Sequence, residues 1–510
     1  GVRAGTGYPG TPSTEILENL CRYKDVVCEW SVNEKVALEV GLGAAYAGAR
    51  ALVTMKHVGL NVAADVLFTA VYTGIKGGLV IVSADDPNLH SSQNEQDNRH
   101  YARAAKLPML EPADSQEAKD FTKLAFDISE RFDTPVLIRP VTRISHSMSP
   151  VTLNGRTEYH VEGFKRDFKK YVMIPLFARE RHKVVEARLK DIIAAIPSLG
   201  VNRAENMPEG HSKTGIVTAG ICYHYVKEVF PDMPVFKLGM VFPFPEQQLL
   251  DFCSCFDEII VIEELEPFFE EYLKAHGVKT IGKNVLPVTG EYSPGIIRQA
   301  ITGKTAVRTT PALPHPLPPR PPGLCPGCPH RTVYELLNSL GLTVSGDIGC
   351  YSLGVLPPFS AMDTLVDMGA GITLAQGMEI ATGKNHQPRT VAVIGDSTFA
   401  HSGVTGLMNA AYNRRNTLII ILDNGTTAMT GMQPNPLSGT DIYGNPAPVL
   451  DYQKLGEAVG MNRDNIMIVD AYSREEIETA LTKLMERNEL ALLIVKGPCI
   501  IHLRKNKSKA

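Results

Sequence analysis

Asp396 and Asn424 each stand just past an apolar run that reads as a β-strand, and together they carry the strongest chemical signal in the chain. The first run, Val391-Ala-Val-Ile394, leads into Gly395-Asp396-Ser397. The second, Leu418-Ile-Ile-Ile-Leu422, leads into Asp423-Asn424-Gly425. A Gly-bearing turn and a helix fit between them, which predicts a βαβ unit, and such sheets bind ligands at the carboxyl ends of their strands. A carboxylate and a carboxamide oxygen at neighbouring strand ends suit magnesium, a hard cation that shares its shell with phosphate oxygens. Backbone N–H groups at a turn and helix start hold phosphate directly. The pair therefore predicts a metal-bridged diphosphate. Taken singly, each residue has a plainer reading, as a strand-end Asp and a turn-forming Asn-Gly. Asp367-Met-Gly-Ala-Gly371 adds Gly369 and Gly371 as points where a backbone approaches a ligand closely. Leu374 occupies the third position of a dinucleotide fingerprint, and no P-loop pattern is present, so a dinucleotide is disfavoured.

Four cysteines form a second constellation. Cys325-Pro-Gly-Cys328 precedes Cys350 by 22 residues, and Cys499 follows the strand-like Ala491-Leu-Leu-Ile-Val495. Four thiolates in one domain could hold a [4Fe–4S] cluster. A CxxC with His330 beside it equally suits tetrahedral zinc, and the spacing alone leaves both open. Cys21, Cys28, Cys222, Cys253 and Cys255 read as core or surface thiols. Near the amino end, Ser31-Val-Asn-Glu34 opens an apolar-periodic helix and reads as a capping box. Thr11, in Tyr8-Pro-Gly-Thr-Pro-Ser13, either grips a carboxylate with nearby N–H groups or, with Ser13, caps a helix. Lys56-His57 follows a strand and brings a titratable imidazole into a loop. His401 is a weaker candidate, and Ser91–Asp97 is a long polar loop.

The elements that position these groups are α/β throughout. Ala51–Thr54, Gly78–Ser83 and Thr134–Ile138 predict buried parallel strands within residues 1–150. Residues 151–212 are more polar, with one amphipathic helix over Val184–Ala195. A second α/β block, 213–310, carries Thr214–Gly220 and Glu258–Glu263. Seven prolines in the twelve residues from Pro311 to Pro322 mark a stiff linker, 311–323, before a third block over 324–510. At 510 residues the chain needs several cores. With 44% hydrophobic and 21% charged residues and net charge −4, it gives no electrostatic case for nucleic acid or an anionic membrane. No apolar stretch is long enough to span a bilayer. Nine unevenly spaced cysteines fit a reducing cytoplasm better than a disulfide scaffold. The chain opens on Gly1 at what reads as a strand end, so a short preceding segment is expected.

Gly395-Asp-Ser397, the 28 residues from Asp396 to Asn424, and Thr426-Thr-Ala-Met-Thr-Gly-Met-Gln433 resemble the diphosphate motif of thiamine diphosphate enzymes. More narrowly the chain resembles the 2-oxoacid:ferredoxin oxidoreductases, in particular alpha subunits of the indolepyruvate type, from Gly7-Tyr-Pro-Gly-Thr-Pro-Ser13 to Gly497-Pro-Cys499. That resemblance implies three doubly wound α/β domains: pyrimidine-binding (1–150), transketolase C-terminal-like (213–310, after the connector 151–212) and diphosphate-binding (324–510). It implies that Asp396 and Asn424 ligate magnesium by side chain and Thr426 by its backbone carbonyl, with Gly395 and Ser397 close to the diphosphate. Ser397 replaces a usual Gly, which is tolerable unless a positive φ is required. The resemblance turns Glu34 from a cap into the acid–base group beside the aminopyrimidine ring of the cofactor. It makes Thr11 the substrate-carboxylate contact, places Lys56 and His57 in the active-site loop, and favours a [4Fe–4S] cluster on Cys325, Cys328, Cys350 and Cys499. The implied reaction is oxidative decarboxylation of aryl pyruvates such as indolepyruvate to the aryl-acetyl-CoA. The implied partners are coenzyme A, ferredoxin and a smaller beta subunit in a hetero-oligomer. The ferredoxin-like cysteine segment that usually ends such subunits does not follow Cys499 before Ala510, which puts the outer electron route in doubt. A non-oxidative decarboxylase, and an electron-transfer or assembly subunit dependent on a catalytic partner, remain as alternatives.

Overall fold

The structure is a computed structural model that describes residues 1–510 except 156–157, 306–316, 319, 384–389 and 508–510. The chain divides into two compact units, Gly1–Ala312 and Leu313–Ala510. Most of the proline-rich linker expected over 311–323 lies outside the described residues.

The first unit holds two sheets. Its strands are β1 (Val2–Gly7), β2 (Val27–Trp30), β3 (Arg50–Lys56), β4 (Leu79–Ala84), β5 (Met109–Leu110), β6 (Val136–Ile138), β7 (Arg203–Glu205), β8 (Ser212–Ala219), β9 (Val235–Leu238), β10 (Met240–Phe242), β11 (Phe256–Ile262) and β12 (Thr280–Ile281). The seven-stranded sheet runs β10-β5-β6-β4-β3-β1-β2, parallel except for β10 against β5. The five-stranded sheet runs β12-β11-β8-β9-β7, parallel except for β7 against β9. Each otherwise parallel sheet thus carries one antiparallel rim strand. The apolar runs give β4 six buried residues of six, as expected of a strand covered by helices on both faces. The amphipathic helix predicted over Val184–Ala195 lies inside a longer one, Pro175–Leu199, which buries Val185, Arg188, Ile192 and Ile196 along one stripe.

A buried ionic lattice joins the two sheets of this unit. Arg99 bonds Asp97 at 2.5 Å and Glu263 at 2.6 Å, and Arg139 bonds Asp85 at 2.6 Å and Glu111 at 2.7 Å. Burial alone would push the Asp97 carboxyl up, but Arg99 and Arg139 override it and leave it at about 2.

The second unit is built on one parallel sheet: β13 (Thr343–Ser345), β14 (Thr390–Gly395), β15 (Leu418–Asp423), β16 (Ile466–Asp470) and β17 (Ala491–Lys496), in the order β13-β14-β15-β17-β16. Register pairs Gly395 with Leu422 and Asp423 with Lys496. Parallel register brings four strand ends to one rim: Asp347 and Cys350 follow β13, Asp396 follows β14, Asn424 follows β15 and Cys499 follows β17. No helix among the described residues is long and apolar enough to cross a membrane.

Candidate functional site

In the second unit, the β14 end turns straight into a helical turn, Asp396–Thr398, with Gly395 extended at its cap. A Cβ on Gly395 would lie 2.4 Å from the Tyr351 ring, so glycine is required here by packing rather than by φ. Ser397 has no positive φ and its N–H donates to Asp396 Oδ1 at 2.8 Å, so serine costs this turn nothing. Asp396, Asn424 and Thr426 come together as expected. The Thr426 N–H donates to Asn424 Oδ1 at 3.2 Å and also bonds the Asp396 carboxyl. Burial, then the nearby Asp423 carboxylate, pushes Asp396 up to about 7. Two buried acids that repel each other, with a carboxamide oxygen beside them, are a donor set that a divalent cation relieves and that is all oxygen, as magnesium prefers.

The two glycines before the next helix are used differently from the expectation. Gly369 N–H donates to both oxygens of Asp347, at 2.9 and 3.0 Å, and Gly371 N–H to Asp347 Oδ2 at 2.9 Å. Gly369 holds φ +98°, and a Cβ there would meet Ser402 Cβ at 2.5 Å. The helix start that looked ready for phosphate is thus capped from within the protein, by a carboxyl that burial raises to about 7. Asp347 was the residue missed; its place one residue past Gly346, after the β13 run, was the available signal.

The four cysteines are all free thiols. Cys350 is pushed up to about 12 by burial and then by Cys499, Cys328 and Cys325, and Cys328 to about 11 by burial with Cys325 and Cys499 contributing. They therefore share one neighbourhood, although no group of three His, Cys, Asp or Glu side chains among the described residues stands ready-made around a metal position. His330, the nitrogen that made zinc attractive, is buried and turned to Asn424, with Nε2 3.2 Å from Asn424 Nδ2. Burial lowers its pKa to about 4, so the ring is neutral. With that nitrogen engaged, the remaining set is all sulfur, which fits an iron–sulfur cluster better than a Cys/His zinc site.

In the first unit, Glu34 begins the Glu34–Tyr46 helix and is 6% exposed. The capping box is not formed. Asn33 caps the helix, accepting from Val36 N–H at 2.9 Å, while Ser31 Oγ donates to Glu29 at 2.9 Å. Gly59 presses on the Glu34 side chain: a Cβ there would lie 2.6 Å from Glu34 Cγ and Oε1. Burial pulls Lys56 down to about 8, with Asp86 and Glu34 acting against it, and its Nζ donates to the Ser91 carbonyl at 2.6 Å. His57 is fully buried; burial lowers its pKa, and Nε2 sits 3.2 Å from the Asn94 carbonyl. The Ser91–Asp97 loop is thus strapped across the Lys56–Asn61 segment, with Gln96 Nε2 donating to the His57 carbonyl at 3.1 Å.

Neither Thr11 nor Ser13 caps the following helix by side chain, since Ser13 Oγ donates instead to the Gly10 carbonyl at 2.8 Å. Ser91 Oγ donates to the Thr11 carbonyl at 3.2 Å. Thr11 lines an open cleft of about 490 Å³ with His90, Ser91, Arg143, His146 and Glu291. Arg143 is paired to Glu291 by two hydrogen bonds of 2.7 and 2.6 Å. His401, at a π-helical turn, has Nδ1 2.7 Å from Ser402 Oγ.

Comparison with known proteins places these sites in context. Residues 1–192 match the family described as pyruvate flavodoxin/ferredoxin oxidoreductase, thiamine diP-bdg, and residues 347–495 match the thiamine pyrophosphate enzyme, C-terminal TPP binding domain. The chain is similar to indolepyruvate oxidoreductase subunit IorA of Methanothermobacter thermautotrophicus, 39% identical over 98% of this chain and 84% of the relative. It is 37% identical to the subunit of the same name from Archaeoglobus fulgidus, over 98% and 84%. A solved 2-oxoglutarate:ferredoxin oxidoreductase from Magnetococcus marinus is 15% identical with a TM-score of 0.48, covering 59% of this chain and 62% of that one.

Proposed function

The chain belongs to the family of indolepyruvate oxidoreductase IorA subunits, and from that premise we propose that it oxidatively decarboxylates aryl 2-oxo acids, indolepyruvate among them, to the acyl-CoA. When bound, thiamine diphosphate supplies a cationic thiazolium that accepts the electrons left by departing carbon dioxide. The observation that carries the reading is the gathering of Asp396, Asn424 and Thr426 at adjoining strand ends, beside a second buried acid. These residues would hold magnesium and, through it, the diphosphate; the Thr426 carbonyl is the third donor. Gly369 and Gly371 act indirectly, because their N–H groups serve Asp347.

Glu34 is the acid–base group for the aminopyrimidine ring. Its seat supports this: Asn33 does the capping, and Gly59 and Lys56 bound the carboxyl. Lys56 holds the Ser91 loop and balances charge beside Glu34. His57, neutral and buried, orders that loop through Asn94 more plausibly than it transfers protons. The Thr11 turn receives the substrate carboxylate. Cys325, Cys328, Cys350 and Cys499 take a [4Fe–4S] cluster that carries single electrons towards ferredoxin, work done with a smaller beta subunit in the reducing cytoplasm.

The test is anaerobic reduction of a viologen dye by indolepyruvate, phenylpyruvate and 2-oxoglutarate, with and without coenzyme A, on the chain assembled with its smaller subunit. Dye reduction and acyl-CoA formation with the aryl substrates are expected. Aldehyde release without dye reduction would replace the reading with a non-oxidative decarboxylase.

A further inference from the structure

His330 belongs to the turn that carries Cys325 and Cys328, yet its side chain points away from sulfur. Its own N–H donates to the Cys328 thiol, Cys328 N–H donates to the Cys325 carbonyl at 3.0 Å, and His330 opens the Arg331–Ser339 helix. The ring reaches Asn424, 94 positions along the chain, and the contact is buried. The amide of Asn424 has one orientation here. Thr426 N–H takes Oδ1, so the amide nitrogen must face the imidazole, and Nε2 accepts from it. The Asn424 backbone is gripped as well, its carbonyl accepting from Cys499 N–H at 3.1 Å. Both cysteine-bearing loops therefore close on the same asparagine, one on its side chain and one on its main chain.

We infer that His330 is a positioning residue for the metal site: by accepting from Asn424 Nδ2 it fixes the carboxamide with Oδ1 towards Asp396, and so ties magnesium affinity to the cysteine turn. The inference rests on the reading of Asn424 as a magnesium ligand. A freely rotating carboxamide would offer nitrogen as often as oxygen to a cation, and nitrogen of an amide does not ligate magnesium. Imidazole removes that ambiguity while staying outside the coordination shell, as partners of metal ligands commonly do.

The test measures magnesium affinity by calorimetry on the full chain, iron-loaded anaerobically, at saturating thiamine diphosphate. His330→Leu removes the acceptor and is expected to weaken magnesium about tenfold, the effect of one buried hydrogen bond. His330→Gln offers a carbonyl oxygen and is expected to recover most of that loss. Iron content and melting temperature should stay close to those of the unaltered chain in both. Should the leucine chain not fold, His330→Ala takes its place in the same comparison. Wild-type magnesium affinity in the leucine or alanine variant overturns the inference. So does a loss that glutamine fails to rescue, because a merely structural histidine would behave that way. No magnesium or thiamine diphosphate uptake by the unaltered chain would instead fell the parent reading.

Discussion

Gly59→Ala is the sharpest probe of the Glu34 assignment, because it touches the carboxylate without changing its chemistry. The added methyl would sit 2.6 Å from Glu34 Cγ and Oε1 and 2.8 Å from Cδ. Carbon atoms in contact normally lie roughly 3.5–4.0 Å apart, so the Glu34 side chain must retreat by about 1 Å. A displacement of that size in a reacting group costs about 10²-fold in turnover. The fold should barely notice. Gly59 is inside the short His57–Val62 helix. There alanine contributes about 1 kcal/mol of helix propensity against an overpacking cost of about 1–3 kcal/mol. Magnesium and thiamine diphosphate affinity should be unchanged, and the melting temperature should move by a few degrees. The assay is steady-state dye reduction on Gly59→Ala, Glu34→Gln and the double variant. Glu34→Gln alone should lose ~10²–10⁴ in turnover as a lost acid–base group. In its background Gly59→Ala should cost almost nothing, since there is no longer a proton donor to misplace. Full additivity, or near-normal turnover of Gly59→Ala, would refute the reasoning.

Three further outcomes are expected. Asp396→Ala should weaken magnesium by about 10²-fold or more, in line with the 3–5 kcal/mol typical of a buried charge left unpaired, read by calorimetry with thiamine diphosphate present. Cys350→Ser should lower iron and sulfide per chain and abolish dye reduction while leaving thiamine diphosphate uptake intact; unchanged iron would remove Cys350 from the ligand set. Glu264 sits in the buried acid cluster and is raised by burial from 4.5 to about 7. Its folded-state proton is held more tightly than in the unfolded chain, so its stabilisation is full below pH ~4.5 and is lost as pH climbs through 7, about 3 kcal/mol in all. Glu264→Gln should therefore raise the melting temperature at pH 8 and leave it almost unchanged at pH 4.5, and equal shifts at the two pH values would contradict the assignment.

What could be read before any coordinates follows a physical rule. Val391–Ile394 and Leu418–Leu422 are continuous apolar runs that end in polar turns, so their strands and their functional ends were visible locally. The gathering of Cys350 and Cys499 near Asn424 follows from strand order, once β17 lies beside β15. What stayed hidden depended on partners far along the chain. Ser31 looked like a cap, but Glu29 takes its hydroxyl and Asn33 serves the helix. Gly369 and Gly371 looked open to phosphate, but Asp347 arrives from another strand end to occupy their N–H groups. The His330–Asn424 bond joins positions that no periodicity or spacing connects.

One rim of the seven-stranded sheet has a consequence for how the molecule is made. β5 is only two residues long, and β10, which flanks it, is translated long after β5 leaves the ribosome, behind the Pro175–Leu199 helix and most of a second sheet. Until that late strand arrives, the nascent amino-terminal sheet exposes a raw edge able to pair with other chains. A gene split anywhere between the two would leave an orphan half inclined to aggregate, whereas nicking the finished protein near residue 160 should leave the pieces clasped together.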